Sequence, residues 1–244
     1  MSLRKQFDLS IIGHRGFAKN YPENTLLGFQ KAIDVKADYI EFDVHSSADG
    51  VVVICHDSST KRTGNAIYTI HQTPFETLRT LDMGKGEKMP TFQETIDLCK
   101  GKIGFQIEIK EIGLADKVVE LIQKNGIKDQ VGISSFHHEE LRRVKELDES
   151  IMCAALLPTP NNAAKGIFTR KIFIDATKAA KADGFHPFYK YINEKLVKAA
   201  KDAGMFINAW TVDNPQIWKK LRELQITGII TNDPLGLHQF LAGV

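Results

Sequence analysis

Seven side chains in this sequence combine titratable chemistry with positions where burial would be costly: His14, Arg15, Glu41, Asp43, His56, Glu108 and Lys110. In Asp38-Tyr-Ile-Glu-Phe-Asp-Val-His45, Ile40, Phe42 and Val44 alternate with Glu41, Asp43 and His45, the period-two pattern of a strand. Phe105-Gln-Ile-Glu-Ile-Lys110 repeats the pattern, with Ile107 and Ile109 on one side and Glu108 and Lys110 on the other. Both runs look buried, so their carboxylates would gather at one mouth of a sheet or barrel. That is expensive unless positive charge sits among them. Three acids against Arg15 and Lys110 leave −1, a divalent ion makes +1, and a phosphodiester of charge −1 restores balance. The tally points to a metal and a phosphate. Oxygen ligation by Glu41, Asp43 and Glu108 favours Mg²⁺ or Ca²⁺, with Mn²⁺ as a third candidate, over Zn²⁺.

Two rival readings use the same residues. A dry ion-pair network of Glu41, Glu108, Arg15 and Lys110 would carry a desolvation cost with no function to retain it. A zinc site on His14 and His56 lacks HExxH or close i,i+4 spacing. The two histidines suit proton transfer instead, because imidazole titrates near neutrality. His14 follows an apolar run directly in Gly13-His-Arg-Gly16, where the glycines let backbone approach a ligand. His71, His137, His138 and His238 read as surface or core residues, while His45 and His186 stay open. Trp210 reads either as a hydrophobic wall for substrate or as a core aromatic.

The elements that must position these groups alternate in type. Apolar strand candidates start near residues 9, 39, 104, 131, 151, 184, 205 and 228, and helix-like periodicity follows each. The first helix is expected over 24–35, with Pro22 and Asn24 as start signals, and Thr91 is expected to cap another running to Cys99. Pro158-Thr-Pro160 breaks the fifth strand, and 161–181 reads as a loop and a helix. Ala48-Asp-Gly50 between two strand patterns predicts an antiparallel hairpin, with the return strand Val51–Ile54 ending at Cys55-His-Asp57. This gives a (β/α)₈ TIM-type barrel, with a doubly wound sheet as runner-up. No GxGxxG or GxxxxGK[ST] supports the runner-up. Barrel active sites lie at the C-terminal ends of strands. Here those ends also carry Ser134, Ser135, His186, Asn208, Trp210, Thr231 and Asn232. Residues 58–90, polar and rich in breakers, read as an insertion acting as a lid or specificity element, against the alternative of a floppy excursion.

The chain's 244 residues, 43% hydrophobic and 25% charged, suffice for a single barrel of about 250 residues. A net charge of +2 with scattered Lys and Arg argues against a nucleic-acid partner. Cys55, Cys99 and Cys153 are odd in number and widely spaced, which fits reduced thiols, two of them buried, in a cytoplasmic protein. No signal peptide pattern and no run of roughly 18 apolar residues occurs, so no membrane insertion is expected.

An ordered set of motifs resembles the glycerophosphodiester phosphodiesterase family. It comprises His14-Arg-Gly16, Pro22-Glu-Asn-Thr25, Glu41-Phe-Asp43, Asp49-Gly50, His56-Asp57 and Arg62-Thr63. It continues with Pro90-Thr-Phe-Gln-Glu94, Glu108-Ile-Lys110, Ala209-Trp-Thr-Val212 and Gly228-Ile-Ile-Thr231. The resemblance implies a TIM-type barrel with a small insertion after His56. It implies a divalent metal on Glu41, Asp43 and Glu108, His14 and His56 as general acid and base, and Arg15 and Lys110 on the phosphodiester. The implied reaction releases sn-glycerol 3-phosphate and an alcohol, with attack by a glycerol hydroxyl through a cyclic phosphate as one route. Lysophospholipids or a polyglycerol-phosphate polymer are alternative substrates, and a non-catalytic phosphate-binding barrel is the alternative class. The chain departs from the family pattern at Lys36-Ala-Asp38, at Gln106 and at Ser58-Ser-Thr-Lys61, the last bearing on substrate preference.

Overall fold

The computed structural model describes residues 8–157 and 170–244. Among them, eight parallel strands close into a barrel: β1 (Ser10–Gly13), β2 (Tyr39–Ser46), β4 (Gly104–Ile109), β5 (Val131–Ser135), β6 (Met152–Leu157), β7 (Gly184–Pro187), β8 (Phe206–Ala209) and β9 (Gly228–Thr231). Neighbours run β1-β9-β8-β7-β6-β5-β4-β2, and the β1–β2 pairing closes the ring. Helices α1 (Leu26–Asp34), α3 (Phe92–Cys99), α4 (Ala115–Asn125), α5 (His138–Leu147), α6 (Arg170–Ala179), α7 (Glu194–Asp202), α8 (Pro215–Glu223) and α9 (Pro234–Ala242) follow the strands. The barrel is the expected architecture. Pro158–Pro160 and the first half of the expected 161–181 element lie outside the described residues.

Alternation along β2 separates two chemistries. Ile40, Phe42 and Val44 face outward into the helix layer, where the Phe42 ring lies 5.7 Å from Phe29 of α1 and 5.8 Å from Phe92 of α3. Burying side chains of this size contributes roughly 1.5–3 kcal/mol each. Glu41, Asp43 and His45 take the other side and are as thoroughly buried. Polar residues also line the barrel below them: Ser10, Gln106 and Asn208 border a cavity of about 450 Å³ toward the N-terminal ends of the strands. Asn208, expected at the active mouth, therefore faces the opposite chamber, because β8 reaches the mouth only with the residues after Ala209.

Strand β3 (Val52–Ile54) pairs antiparallel with β2 through Val44↔Ile54, His45↔Val53 and Ser46↔Val52, as the Asp-Gly turn predicts. Its place follows from edge accounting. β4 occupies one edge of β2 as far as Val44↔Ile109, so β3 takes the edge that β1 leaves after Gly13↔Ile40. The return strand thus comes down over the end of β1, bringing His56 above the mouth. Helix α1 starts later than expected. Thr25, rather than Asn24, is the cap and accepts from the Gly28 amide, whereas Asn24 takes a left-handed φ of 55° and turns its amide to Asp43. Thr91 forms the expected cap, as a capping box with Glu94.

Residues 58–90 have their own packing. Ile70, Leu78, Leu81, Met83 and Met89 form a buried cluster with Val53 and Cys55, around the short helix α2 (Phe75–Leu78). Glu87 accepts from the Leu27 amide and Lys85 donates to the Asn20 carbonyl, tying the segment to the start of α1. A floppy excursion does not describe it. All three cysteines are free and buried, one more than expected, and burial raises their thiols to about 11 or 12, so they stay protonated.

If this cluster braces the segment, Leu78→Ala should destabilise the protein by about 2–5 kcal/mol in urea unfolding and open residues 58–90 to limited proteolysis. An unchanged midpoint would show that the cluster contributes nothing to stability.

Candidate active site

The site begins at the turn after β1. Gly13 allows that turn: a Cβ there would lie 2.4 Å from the Gly16 carbonyl oxygen. Arg15, at φ 53°, donates its backbone amide to Glu41 Oε2 at 2.9 Å. His14 Nδ1 meets Asn232 Oδ1 at 2.7 Å, and its Nε2 lies 4.0 Å from Glu41 Oε2. Asn232 is itself fixed by Asp213, which accepts from both its amide groups and from Thr231 Oγ1.

Register assembles the acids. Asp43 and Glu108 are partners across β2 and β4, and Glu41 lies two residues back on the same face. One oxygen from each of Glu41, Asp43 and Glu108 lies within 4.8 Å of the others. Lys110 Nζ sits 2.6 Å from Glu108 Oε1 and 3.5 Å from Asp43 Oδ1, while Arg15 Nε is 3.6 Å from Asp43 Oδ2. Asn24 donates to Asp43 Oδ2 at 2.9 Å.

These neighbours do not serve the three acids alike. Burial raises Asp43, but Lys110, His56, Arg15 and the Asn24 bond outweigh it and hold the carboxyl low and ionised. Glu41 is driven well up, first by burial and then by Asp43 and Glu108. Burial and Asp43 lift Glu108 to about 7, against the pull of Lys110. Protein charges alone therefore fail to satisfy the cluster. Asp43 Oδ1 and Asn24 Oδ1 are also buried acceptors without a hydrogen-bond partner. A hard divalent cation fits this donor set: oxygen only, with negative charge in excess. Among the described residues this is the only such cluster, and no histidine joins it.

His56 reaches the site from the end of β3. Its Nδ1 is 2.6 Å from Asp57 Oδ1, and Arg62 Nε binds Asp57 Oδ2 at 2.8 Å. Arg62 then grips Glu23 with both terminal nitrogens, at 2.7 and 2.8 Å, and Glu23 accepts from Arg15 at 2.8 Å. Burial would raise Asp57, but Arg62 and His56 lower it to about 2, so it remains a carboxylate. Burial lowers both His14 and His56, so neither is held as a permanent cation. With Nδ1 committed, each imidazole keeps Nε2 for chemistry.

Other expected residues divide. Ser134, His186 and Trp210 line the same cavity of about 100 Å³ as His14, Arg15, Glu41, His56, Glu108 and Lys110. Trp210 packs against Phe136 at 5.8 Å and Phe188 at 5.5 Å, and is both wall and packing aromatic. Ser135 instead donates to the Ile109 carbonyl. His45 contacts Glu111 and the His56 carbonyl, both at 3.3 Å, and so braces the hairpin. Glu23, Asp57, Arg62 and Asp213 had no assigned role in the site, and Asn24 was expected only as a helix start signal. Only adjacency, Glu23-Asn24 before a cap and Asp57 beside His56, could have marked them.

Comparison with known proteins follows the same line. Residues 14–235 match the glycerophosphoryl diester phosphodiesterase family. A glycerophosphodiester phosphodiesterase of Caldanaerobacter subterraneus subsp. tengcongensis is 32% identical over 241 residues, covering 92% of this chain and 94% of the relative. The crystal structure of the Thermotoga maritima glycerophosphodiester phosphodiesterase is 28% identical, with a TM-score of 0.79, and covers 93% of this chain and 96% of its own. An Oleispira antarctica phosphodiesterase, solved with the product sn-glycerol-3-phosphate, shares the fold at 24% identity, a TM-score of 0.84 and 96% coverage of each chain. With its barrel, acidic cluster and motif order all in agreement, the chain belongs to the glycerophosphoryl diester phosphodiesterase family and is an enzyme of that class.

Proposed function

We propose that the protein hydrolyses glycerophosphodiesters to sn-glycerol 3-phosphate and an alcohol, with a divalent cation on Glu41, Asp43 and Glu108. The observation that carries this reading is the meeting of three buried carboxylates with two imidazoles fixed through Nδ1. Mg²⁺ and Ca²⁺ are the ions of choice, with Mn²⁺ third, because all donors are oxygens. When bound, the ion offsets the acids' charge and polarises a phosphoryl oxygen.

The chain's own groups do the rest. Arg15 and Lys110, held at the rim of the acid cluster by Glu23 and Glu108, present positive charge to a phosphodiester. His14 and His56 face the cavity with Nε2 free, so one accepts a proton from the attacking hydroxyl while the other gives one to the leaving oxygen. Their roles exchange if a glycerol hydroxyl attacks first and water then opens the cyclic phosphate. Carboxylate Asp57 behind His56 and amide Asn232 behind His14 fix the proton on Nδ1 in each ring.

A lysophospholipid is the second substrate reading. Ile67 and Ile112 are 70% and 65% exposed, and Phe136, Phe188 and Trp210 are partly exposed around the mouth, which suits the acyl chain of such a substrate. Among the described residues no helix is long and apolar enough to cross a membrane.

Release of sn-glycerol 3-phosphate from glycerophosphocholine and glycerophosphoethanolamine, and of choline from lysophosphatidylcholine, assayed in Mg²⁺, Ca²⁺, Mn²⁺ and EDTA, tests the reading. Turnover should vanish in EDTA and in Glu41→Ala, Asp43→Ala or Glu108→Ala. His14→Ala or His56→Ala should lower kcat by about 10²–10⁴, while metal binding by equilibrium dialysis survives. Undiminished turnover in the double histidine variant would remove the acid–base assignment, and binding without turnover in the wild type would favour a phosphate-binding barrel.

The charge excess carries a separate expectation. In EDTA, Glu41→Gln should raise the melting temperature by about 2–6 °C, since it relieves repulsion at a functional site. Added Ca²⁺ should raise the wild type's melting temperature and leave the variant's nearly unchanged. Calorimetry decides, and a less stable variant in EDTA would show that the acids are balanced by protein charges after all.

A further inference from the structure

The active cavity has two unlike arcs. His14, Arg15, Glu41, His56, Glu108 and Lys110 come from β1, β2, β3 and β4, and the opposite arc is formed by Ser134, Phe136, Leu156, His186, Trp210 and Ile230. In the closed ring β7 is the fourth strand from β2 in either direction, so His186 stands across the barrel from the acid cluster. It has no exposed surface. Its Nε2 is taken by the Asn208 amide at 3.1 Å, and its backbone carbonyl accepts the Trp210 indole at 2.7 Å. Its Nδ1 has no hydrogen-bond partner.

A buried polar nitrogen left unpaired is costly in a fold that satisfies its neighbours. Burial alone, with no charged group contributing, lowers the ring to about 3, so it stays neutral and brings no charge to a ligand. Its chemistry is that of a single hydrogen bond. If the Asn208 amide donates to Nε2, Nδ1 is a donor; if the amide is reversed, Nδ1 is an acceptor. A hydroxyl group satisfies either case.

We propose that His186 recognises a hydroxyl of the glycerol unit once the phosphate is held by the charged arc, and so selects glycerol esters over other alkyl phosphates. The assignment rests on the glycerophosphodiesterase reading above. Asn208 is the positioning residue that fixes the ring, and Trp210 holds the strand end that carries it.

The test is calorimetric titration of sn-glycerol 3-phosphate and of propyl phosphate, in Ca²⁺, into the wild type and His186→Leu. The wild type should prefer the glycerol ester, and the variant should lose about tenfold of that preference, the worth of one hydrogen bond to a hydroxyl. A preference that survives the substitution, or equal losses for both ligands, overturns the assignment. If His186→Leu does not fold, ¹⁵N-histidine NMR of the wild type decides. The Nδ1 resonance of His186 must move with sn-glycerol 3-phosphate and not with propyl phosphate; the same response to both overturns the proposal. A wild type that binds both ligands equally removes this subsite alone, whereas one that binds neither and releases no product removes the underlying reading with it.

Discussion

A carboxylate with no exposed surface, in the middle of a strand, stays ionised only if several elements converge on it. Asp43 shows how many that takes. Lys110 comes from the end of β4, Arg15 from the turn after β1, Asn24 from the loop before α1 and His56 from the end of β3. Those four influences explain features that otherwise look unrelated: a left-handed Arg15, a left-handed Asn24 and a hairpin folded onto the β1 edge of β2. They also explain why Glu41 and Glu108 are left poorly served. Lys110 is shared between Glu108 and Asp43, Arg15 bonds Glu41 only through its backbone amide, and the negative charge of Asp43 works against both neighbours. Such an imbalance is hard to retain as a structural device, since an apolar replacement would be at least as stable. It is what a cation site requires.

The two histidines are braced by different means. His14 leans on a neutral amide in the loop after β9, which Asp213 anchors from the loop after β8. His56 leans on Asp57, which is locked by Arg62 to Glu23 and so to Arg15. Arg62 belongs to the inserted segment and Glu23 to the loop before α1. The insertion is therefore tied to the chemistry through an ion-pair chain rather than through a covering surface alone, and its small apolar cluster fixes where that chain begins. A lid without such packing would leave Arg62, and with it the Asp57–His56 pair, free to wander.

The reading of the sequence succeeded where a periodicity and a burial rule acted together. Alternation in residues 40–45 and 105–110 identified both strands, and the improbability of buried acids identified Glu41, Asp43 and Glu108 as one group. The Asp-Gly turn identified the hairpin that lifts His56. What escaped depended on three-dimensional detail. Asn24 has the composition of a helix cap and lies one residue too early to be one, so its amide was free for Asp43. Glu23 and Arg62 are 39 residues apart, and nothing local distinguishes them from solvated surface charges. Asn208 was assigned to the wrong end of the barrel because β8 stops at Ala209 and only the residues after it reach the mouth.

The same alternation explains how a barrel can carry a polar interior. A (β/α)₈ core is ordinarily filled by branched apolar side chains, yet here Ser10, Gln106, Ser134, His186 and Asn208 occupy interior positions. The apolar layer between strands and helices is a separate shell, continuous from Leu9 through Phe42, Phe92 and Ile133 to Leu241. Burial in that shell can stabilise the fold with little help from the inside of the ring, because each strand contributes its two faces to different environments. Interior residues are then released from packing duty. The unpaired atoms of His186, Asn24 and Asp43 all lie on polar side chains turned away from that shell. Their clustering on the ligand-facing side is the physical sign that this interior is organised for recognition and chemistry rather than for stability.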